Sequence, residues 1–408
     1  MVELSRSLGW KRLSEHRAVR LRFYYVMVVW GNDYVQMLLD VALPCLLAPG
    51  NLSGTSNIAD SRFLLITTAA DRARIENSPV FAKLNELIQT EIIVPAWICE
   101  AIPYWLKAAR GHQLAAELAA KDSAYCIYLA PDFILSDGSL RSLVEQAACG
   151  KTAVLVPGIR VVTETVVPEL LEAYSTGLSA PLSVASRDLV ALCLKHVHPE
   201  NQRYDWHHPN FSECPVVCTW SVPEENGLLI RAFHLHPLML RITDVESIRL
   251  LHSNTIDGEF LGLNCPDWDG VHVETDSDQI ALFSLTSRID RIQPTKANVA
   301  NVELLRTLAY SSVVNPLHRY YFTKAIKLHS RNLNDKWSAL ERQTAQIVYQ
   351  ALSYSMPSAF GAASSDALHF ISAKLMAREV VRRAARRIAR EVLYFLRLLW
   401  KRTKLTGR

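Results

Sequence analysis

Asp132 follows an apolar run, Tyr125 to Leu129, and stands just ahead of the polar turn Ser136-Asp137-Gly138-Ser139. If that run is a strand of a parallel sheet, the aspartate sits outside its carboxyl end, where ligands bind in such folds. A hard oxygen ligand there suits a cation such as Mg²⁺ or Mn²⁺. Asp137 offers a second oxygen or, equally, a turn and helix cap. In Thr255-Ile256-Asp257-Gly258-Glu259 two carboxylates flank a glycine turn. Asp257 is the candidate general base that takes a proton from an acceptor hydroxyl.

His234 and His236 in FHLHP are two apart, so on one strand they face the same side. Such a pair binds a metal or a phosphate, or packs in the core with its nitrogens satisfied. Farther upstream, Asp205, Trp206 and His207 form a loop suited to an acceptor: a sugar ring stacks on the indole, and its hydroxyls meet Asp and His. His207, His208, Cys214 and Cys218 also invite zinc, but their spacing matches no strong zinc signature. Asp276 and Asp278 in ETDSDQ read as a solvated loop. No G-x-G-x-x-G follows the first strand, and neither a P-loop nor G-x-S-x-G occurs, which argues against the simplest dinucleotide, NTPase and hydrolase readings.

The elements that must position these residues alternate. Phe23 to Gly31 is a nearly continuous aromatic and β-branched run that reads as a strand buried on both faces. A helix over Asp33 to Leu47 stops at Ala48-Pro49-Gly50. Arg62 to Thr68 is a second strand, leading to Asp71 and a helical pattern through Ile88; Glu91 to Ala96 starts a third. A helix over Tyr104 to Lys121, a strand over Tyr125 to Leu135, a helix over Leu140 to Cys149 and a strand over Thr152 to Gly158 follow. Strands alternating with helices mean βαβ units and a mainly parallel α/β sheet sandwiched by helices. Beyond residue 200 the chain is loop-rich, with apolar runs at Leu228 to His236 and Gln279 to Leu285, and 290 to 370 reads as mostly helical. The expected division is a basic leader at 1–21, a nucleotide-binding half at 22–165, an acceptor-side half at 166–290, a helical region at 291–373 and a terminal helix at 374–408.

With that layout in view, the apolar strand ending at Ala130-Pro131-Asp132 resembles the GT-A glycosyltransferases, whose Asp-x-Asp motif holds a divalent ion against the diphosphate of a nucleotide-sugar. Ala130 stands where the first carboxylate would be. The resemblance covers roughly residues 22 to 160 by layout. It implies a GT-A-like, Rossmann-like fold in which Trp30, Gly31, Tyr34, Thr67 and Asp71 frame the nucleotide. It further implies that Asp132 meets the diphosphate or its Mn²⁺ or Mg²⁺, that His236 completes the metal site, and that His234 joins the acceptor side.

Charge is divided unevenly among the 408 residues. Residues 374–408 carry 12 Lys and Arg against Glu379 and Glu391, a net +10, which leaves −6 on the remainder. The body thus gives no case for nucleic-acid binding. In the tail, Val381, Ala385, Ile388, Val392, Phe395 and Leu399 fall at spacings of four and three on one helix face. Arg382, Arg383, Arg386, Arg387 and Arg390 occupy other faces, and Trp400 adds aromatic weight at the end. That is the pattern of an amphipathic helix lying in an anionic membrane surface, each basic residue contributing about 1 kcal/mol. Eight scattered cysteines suit a reducing compartment. The first twenty residues lack the apolar centre of a signal peptide, and no apolar run reaches the ~18 residues of a spanning helix.

The expected protein is a cytoplasmic enzyme, peripheral on the inner membrane face. It moves a sugar from a nucleotide-sugar to a lipid-linked or envelope glycan. The alternatives are a membrane-recruited, non-catalytic interaction protein and a sugar nucleotidyltransferase on a similar sheet.

Overall fold

The computed structural model describes residues 21–177, 179–290 and 298–353. The expected membrane helix, with Arg382, Arg383, Arg386, Arg387, Arg390, Phe395, Leu399 and Trp400, lies outside the described residues. No described helix is long and apolar enough to cross a membrane.

The strands are Phe23–Val28 (β1), Arg62–Ile66 (β2), Gln89–Ile93 (β3), Tyr125–Leu129 (β4), Phe133–Leu135 (β5), Ala153–Val156 (β6) and Ile159–Val162 (β7). They continue with Val217–Val222 (β8), Gly227–Ala232 (β9), His236–Arg241 (β10), Val271–Val273 (β11), Leu282–Thr286 (β12) and Ile326–His329 (β13). Seven of them form the central sheet in the order β11-β6-β10-β4-β1-β2-β3. β10 is antiparallel to both neighbours, and the other pairs are parallel. Two three-stranded sheets, β5-β12-β7 and β13-β9-β8, complete the described fold. A mostly parallel sheet with helices on both faces is compatible with a GT-A-like architecture.

β1 shows why the sheet forms. All six of its residues are buried, yet they alternate: Tyr24, Val26 and Val28 enter one core cluster, and Phe23, Tyr25 and Met27 the other. A strand that is apolar at every position can lie only between two layers. The helix Tyr104–Lys121 covers the first face with Ala115, Ala116 and Ala119. Helices Pro79–Leu87 and Ser139–Ala148 cover the second with Phe81, Leu84, Leu140 and Leu143. A third cluster, holding Trp220, Phe233, Phe322 and Trp337, lies against β8 and β9.

Two sequence expectations change. The run Tyr125 to Leu135 is not one strand: it leaves the central sheet after Leu129, turns through Ala130-Pro131-Asp132, and joins the β5-β12-β7 sheet. The run Leu228 to His236 also divides, because the chain passes from β9 to the central sheet through Phe233-His234-Leu235. His234 and His236 therefore do not share a strand. The crossing is anchored by Phe233 stacked on Phe322 at 3.9 Å, and by the buried Arg231 guanidinium donating to the Thr323 carbonyl at 2.7 Å.

Candidate active-site cleft

The neighbouring parallel strands β1 and β4 lie where the strand order reverses: β2 and β3 continue to one side, and β10, β6 and β11 to the other. Such a switch point opens a crevice at the carboxyl ends of the strands. Gly31, just past β1, has φ 85° and ψ 150°, a region that a side chain would strain, and it caps the helix beginning at Asn32. Its N–H donates to Asp71 Oδ2 at 3.0 Å. The same oxygen accepts from Thr68 Oγ1 at 2.8 Å, while Thr68 Oγ1 accepts from the Asp71 N–H at 3.1 Å. Asp71 thereby ties the β1 turn to the end of β2 and sets the backbone on which Trp30 stands. Asp71→Ala is expected to lower stability by about 1–2 kcal/mol in urea unfolding, the usual effect of losing the hydrogen bonds its carboxylate accepts from Gly31 N–H and Thr68 Oγ1; an unchanged midpoint would remove this role. Thr67, fully buried at the end of β2, has its hydroxyl without a partner among the described residues. The Lys107 ammonium lies 5.8 Å from the centre of the Trp30 ring.

Asp132 opens onto a cleft of about 480 Å³ that Asp33, Tyr34, Asp40, Arg160, Glu164 and Asp290 also line. Its carbonyl accepts from the Leu285 N–H at 2.7 Å, and Oδ2 accepts from Ser284 Oγ at 2.9 Å, so β12 fixes it from both ends. Burial opposes ionisation of Glu164. Bonds from the Ser287 hydroxyl and the Arg288 N–H outweigh it and hold the carboxyl below its usual range. Asp137 is engaged elsewhere: Oδ1 accepts from the Gly50 N–H and Oδ2 from Ser183 Oγ, both at 2.6 Å.

A second group gathers around Asp257. Its Oδ1 accepts from Thr255 Oγ1 at 2.5 Å, and its Oδ2 lies 3.8 Å from His234 Nδ1. Burial pushes the Asp257 carboxyl up, but the His234 and Thr255 contacts outweigh it and hold it well below the carboxylate range. His318 Nδ1 accepts from the Asn315 N–H, which leaves Nε2–H to donate to the Asp257 carbonyl at 3.1 Å. Burial lowers His318 to about 4 and His112 to about 3, and it lowers His236 as well. His236 Nε2–H donates to the Tyr128 carbonyl at 2.8 Å, which leaves Nδ1 as an acceptor. His112 lies edge-on to Tyr128 at 5.0 Å, and His234 lies 4.3 Å from His318 between ring centres. The result is three imidazoles held neutral by burial, His112, His236 and His318, near one anionic aspartate. His112, His318 and Lys107 were not singled out from sequence. Only His318 carried a local signal, three residues beyond the helix cap at Asn315-Pro316.

The remaining candidates are dispersed. Asp205 accepts from the His207 N–H through Oδ1, and from the Ser221 N–H and hydroxyl through Oδ2. Trp206 stacks on Trp220 at 5.5 Å and meets Phe211 edge-on, so much of its surface serves the third core cluster. Cys218 is buried with its thiol pushed up, Cys214 is exposed, and these two do not join His207 and His208 in a metal-ligating group among the described residues. Asp132 and His236 do not belong to one either. Asp276, Asp278 and His329 do bring ligand atoms within 4.8 Å of one another and could hold a cation. Each already has a partner: His329 Nε2 with Asp276 Oδ1 at 2.8 Å, and Arg187 with both oxygens of Asp278.

No protein-family profile matches the chain, and no curated protein matches it in sequence. Among solved structures it is similar over 39% of its length to mouse xyloside xylosyltransferase 1 in its apo form, at 12% identity and TM-score 0.23. It is similar over 74% of its length to S. aureus TarS, at 10% identity and TM-score 0.26. The matches span 60% of the first chain and 42% of the second. At these scores the likeness carries no argument, and the assignment rests on the chain's own geometry.

Proposed function

We propose that this protein is a glycosyltransferase that moves a sugar from a nucleotide-sugar to an acceptor hydroxyl. The observation that carries the reading is Asp132 just past β4, across the switch point from the Gly31 turn, on a cleft with four further carboxylates. In this reading Trp30, Gly31, Tyr34 and Thr67 frame the nucleotide, and Asp71 holds that frame. Lys107 offers positive charge to the diphosphate. The carboxylate donor set fits a hard cation in ligand type, with Asp132 as its protein contact; Mn²⁺ or Mg²⁺ there would stabilise the leaving diphosphate.

Transfer forms a bond from the acceptor oxygen to the anomeric carbon and breaks the bond from that carbon to the diphosphate oxygen. The acceptor proton passes to Asp257, with His234 beside the carboxylate. A carboxylate held this far below its usual range is a weak base. It takes the proton late, when bonding to carbon has made the hydroxyl acidic. We further propose that the acceptor is a lipid-linked or envelope glycan, and that the basic 374–408 segment holds the enzyme at the cytoplasmic face of a membrane.

A thermal-shift screen of the purified protein against UDP-, GDP-, CMP- and TDP-sugars, with and without Mn²⁺ or Mg²⁺, tests the donor. A ligand at 100 times its Kd stabilises the fold by about 2.7 kcal/mol. The expected result is a shift with one nucleotide that disappears in Asp132→Ala. No shift with any of them would favour a non-catalytic interaction protein.

A further inference from the structure

We infer that a second cleft, separate from the Asp132 cleft, binds a neutral glycosyl unit. It measures about 610 Å³, within the ~300–1,000 Å³ range of small-ligand sites. Ile159 lines it while Arg160 lines the Asp132 cleft. Successive residues of a strand point to opposite faces, so the two clefts lie on either side of β7.

The chemistry of the lining selects the ligand. Asn201 is 6% exposed, yet its Oδ1 is buried without a hydrogen-bond partner and its Nδ2 makes no bond among the described residues. An unpaired buried amide costs about 1–3 kcal/mol, so a partner beyond the described residues is called for, and a ligand in the cleft that Asn201 lines can supply one. The side chains of His207 and Asn226, also on the lining, have no hydrogen-bond partner among the described residues. Between them these side chains donate and accept, as sugar hydroxyls do. Asp205 is the one acidic residue of the lining, and no Lys or Arg is present. Both Asp205 oxygens already accept from His207 N–H and Ser221, which limits their reach toward a cation, and the lining offers a phosphate no Lys or Arg. Ile159, Leu194 and Leu228 supply an apolar wall for the C–H face of a sugar ring. Asp205 thus shapes the site, and Asn201, unnoticed in the sequence, reads the ligand.

Sugar binding stands on this cleft alone. The further role, anchoring a glycan acceptor while its end reacts across β7, rests on the transferase reading. The test is a calorimetric titration of the full chain with maltotriose, xylotriose and chitotriose, with uridine and inorganic phosphate as competing chemistries. At least one trisaccharide is expected to bind. Asn201→Leu should weaken it at least tenfold while leaving the unfolding midpoint unchanged or higher, because the lost amide has no hydrogen-bond partner among the described residues. The exposed His207→Ala should weaken it severalfold and gives a readout even if the first variant fails to fold. Unaltered affinity in both variants, or binding of uridine or phosphate with no trisaccharide, overturns the inference. Asp132→Ala should keep trisaccharide binding. If trisaccharides bind and nucleotide-sugars do not, the transferase reading falls and this site stands; the reverse pattern removes this site alone.

Discussion

Between pH 7 and pH 5 the protein is expected to lose roughly 4 kcal/mol of stability, through His112 and His318. An imidazole in the unfolded chain takes a proton near pH 6.5, whereas these two stay neutral down to about 3 and about 4. In the interval the unfolded state binds more protons, so stability falls as pH falls, by up to about 1.4 kcal/mol per pH unit for each group. The contribution is complete above pH 6.5 and declines toward the folded values. His236, also lowered by burial, adds in the same direction. Asp257 does not, because a depressed carboxyl loses its stabilising effect only below the ordinary carboxylate range. His329 has the opposite sign: burial lowers it, but the bond its Nε2–H donates to Asp276 outweighs that and raises it. Its contribution is therefore complete below 6.5 and fades as pH rises through its folded value. Against a typical total of about 5–15 kcal/mol, the loss at pH 5 is large.

Urea midpoints measured across pH 7 to 5 check this. His318→Gln isolates one group, since glutamine at the third helical position can still complete a capping box with Asn315 and does not titrate. Its slope should drop by close to one proton. A flat profile in the native protein, or an unchanged slope in the variant, would show that these imidazoles are not buried neutral.

Enlarging Gly111 is expected to give the second large effect. A Cβ there would lie 2.6 and 2.9 Å from the two Val28 methyl carbons, on the central strand β1. Helix propensity favours alanine over glycine by about 1 kcal/mol. The overlap opposes it by about 1–3 kcal/mol, and the β-branched Val28 has little freedom to turn away. Gly111→Ala should therefore be destabilising on balance, and Gly111→Val by roughly 3 kcal/mol or more. The same helix carries Lys107 and His112 at the crevice, so lifting it from β1 should also weaken nucleotide binding. Val28→Ala combined with Gly111→Ala tests the cause. If the clash is the mechanism, the double variant is more stable than the sum of the single effects predicts. Additive losses would mean that the helix and strand do not meet as closely as the structure has them.

Much of the scaffold is legible without coordinates. The helix expected over Tyr104 to Lys121 has those bounds, and the strands expected from Phe23, Arg62 and Thr152 form at those places. The helix expected over Asp33 to Leu47 is a helical run from Asn32 to Leu46 with a π turn inside it. These elements are set by apolar periodicity, caps and breakers within a few residues of one another. Where the chain changes sheets, the same signals mislead. Tyr125 to Leu135 reads as one strand, and Leu228 to His236 as one apolar run, because apolarity continues through the turn. Nothing in the local pattern tells which ladder a residue joins.

What the amino-acid sequence by itself determined was the α/β alternation, the placing of Asp132 beyond the end of β4, and the uneven charge of the 374–408 segment. Only the tertiary structure decided which polar groups meet. It joined Asp71 to Gly31 and Asp205 to Ser221, drew His112 and His318 toward Asp257, and left the Asn201 Oδ1 without a partner among the described residues. The physical reason is range. Periodicity and capping act over a turn or two of chain, whereas burial and partnership of a histidine or an amide depend on elements packed from distant parts of the sequence.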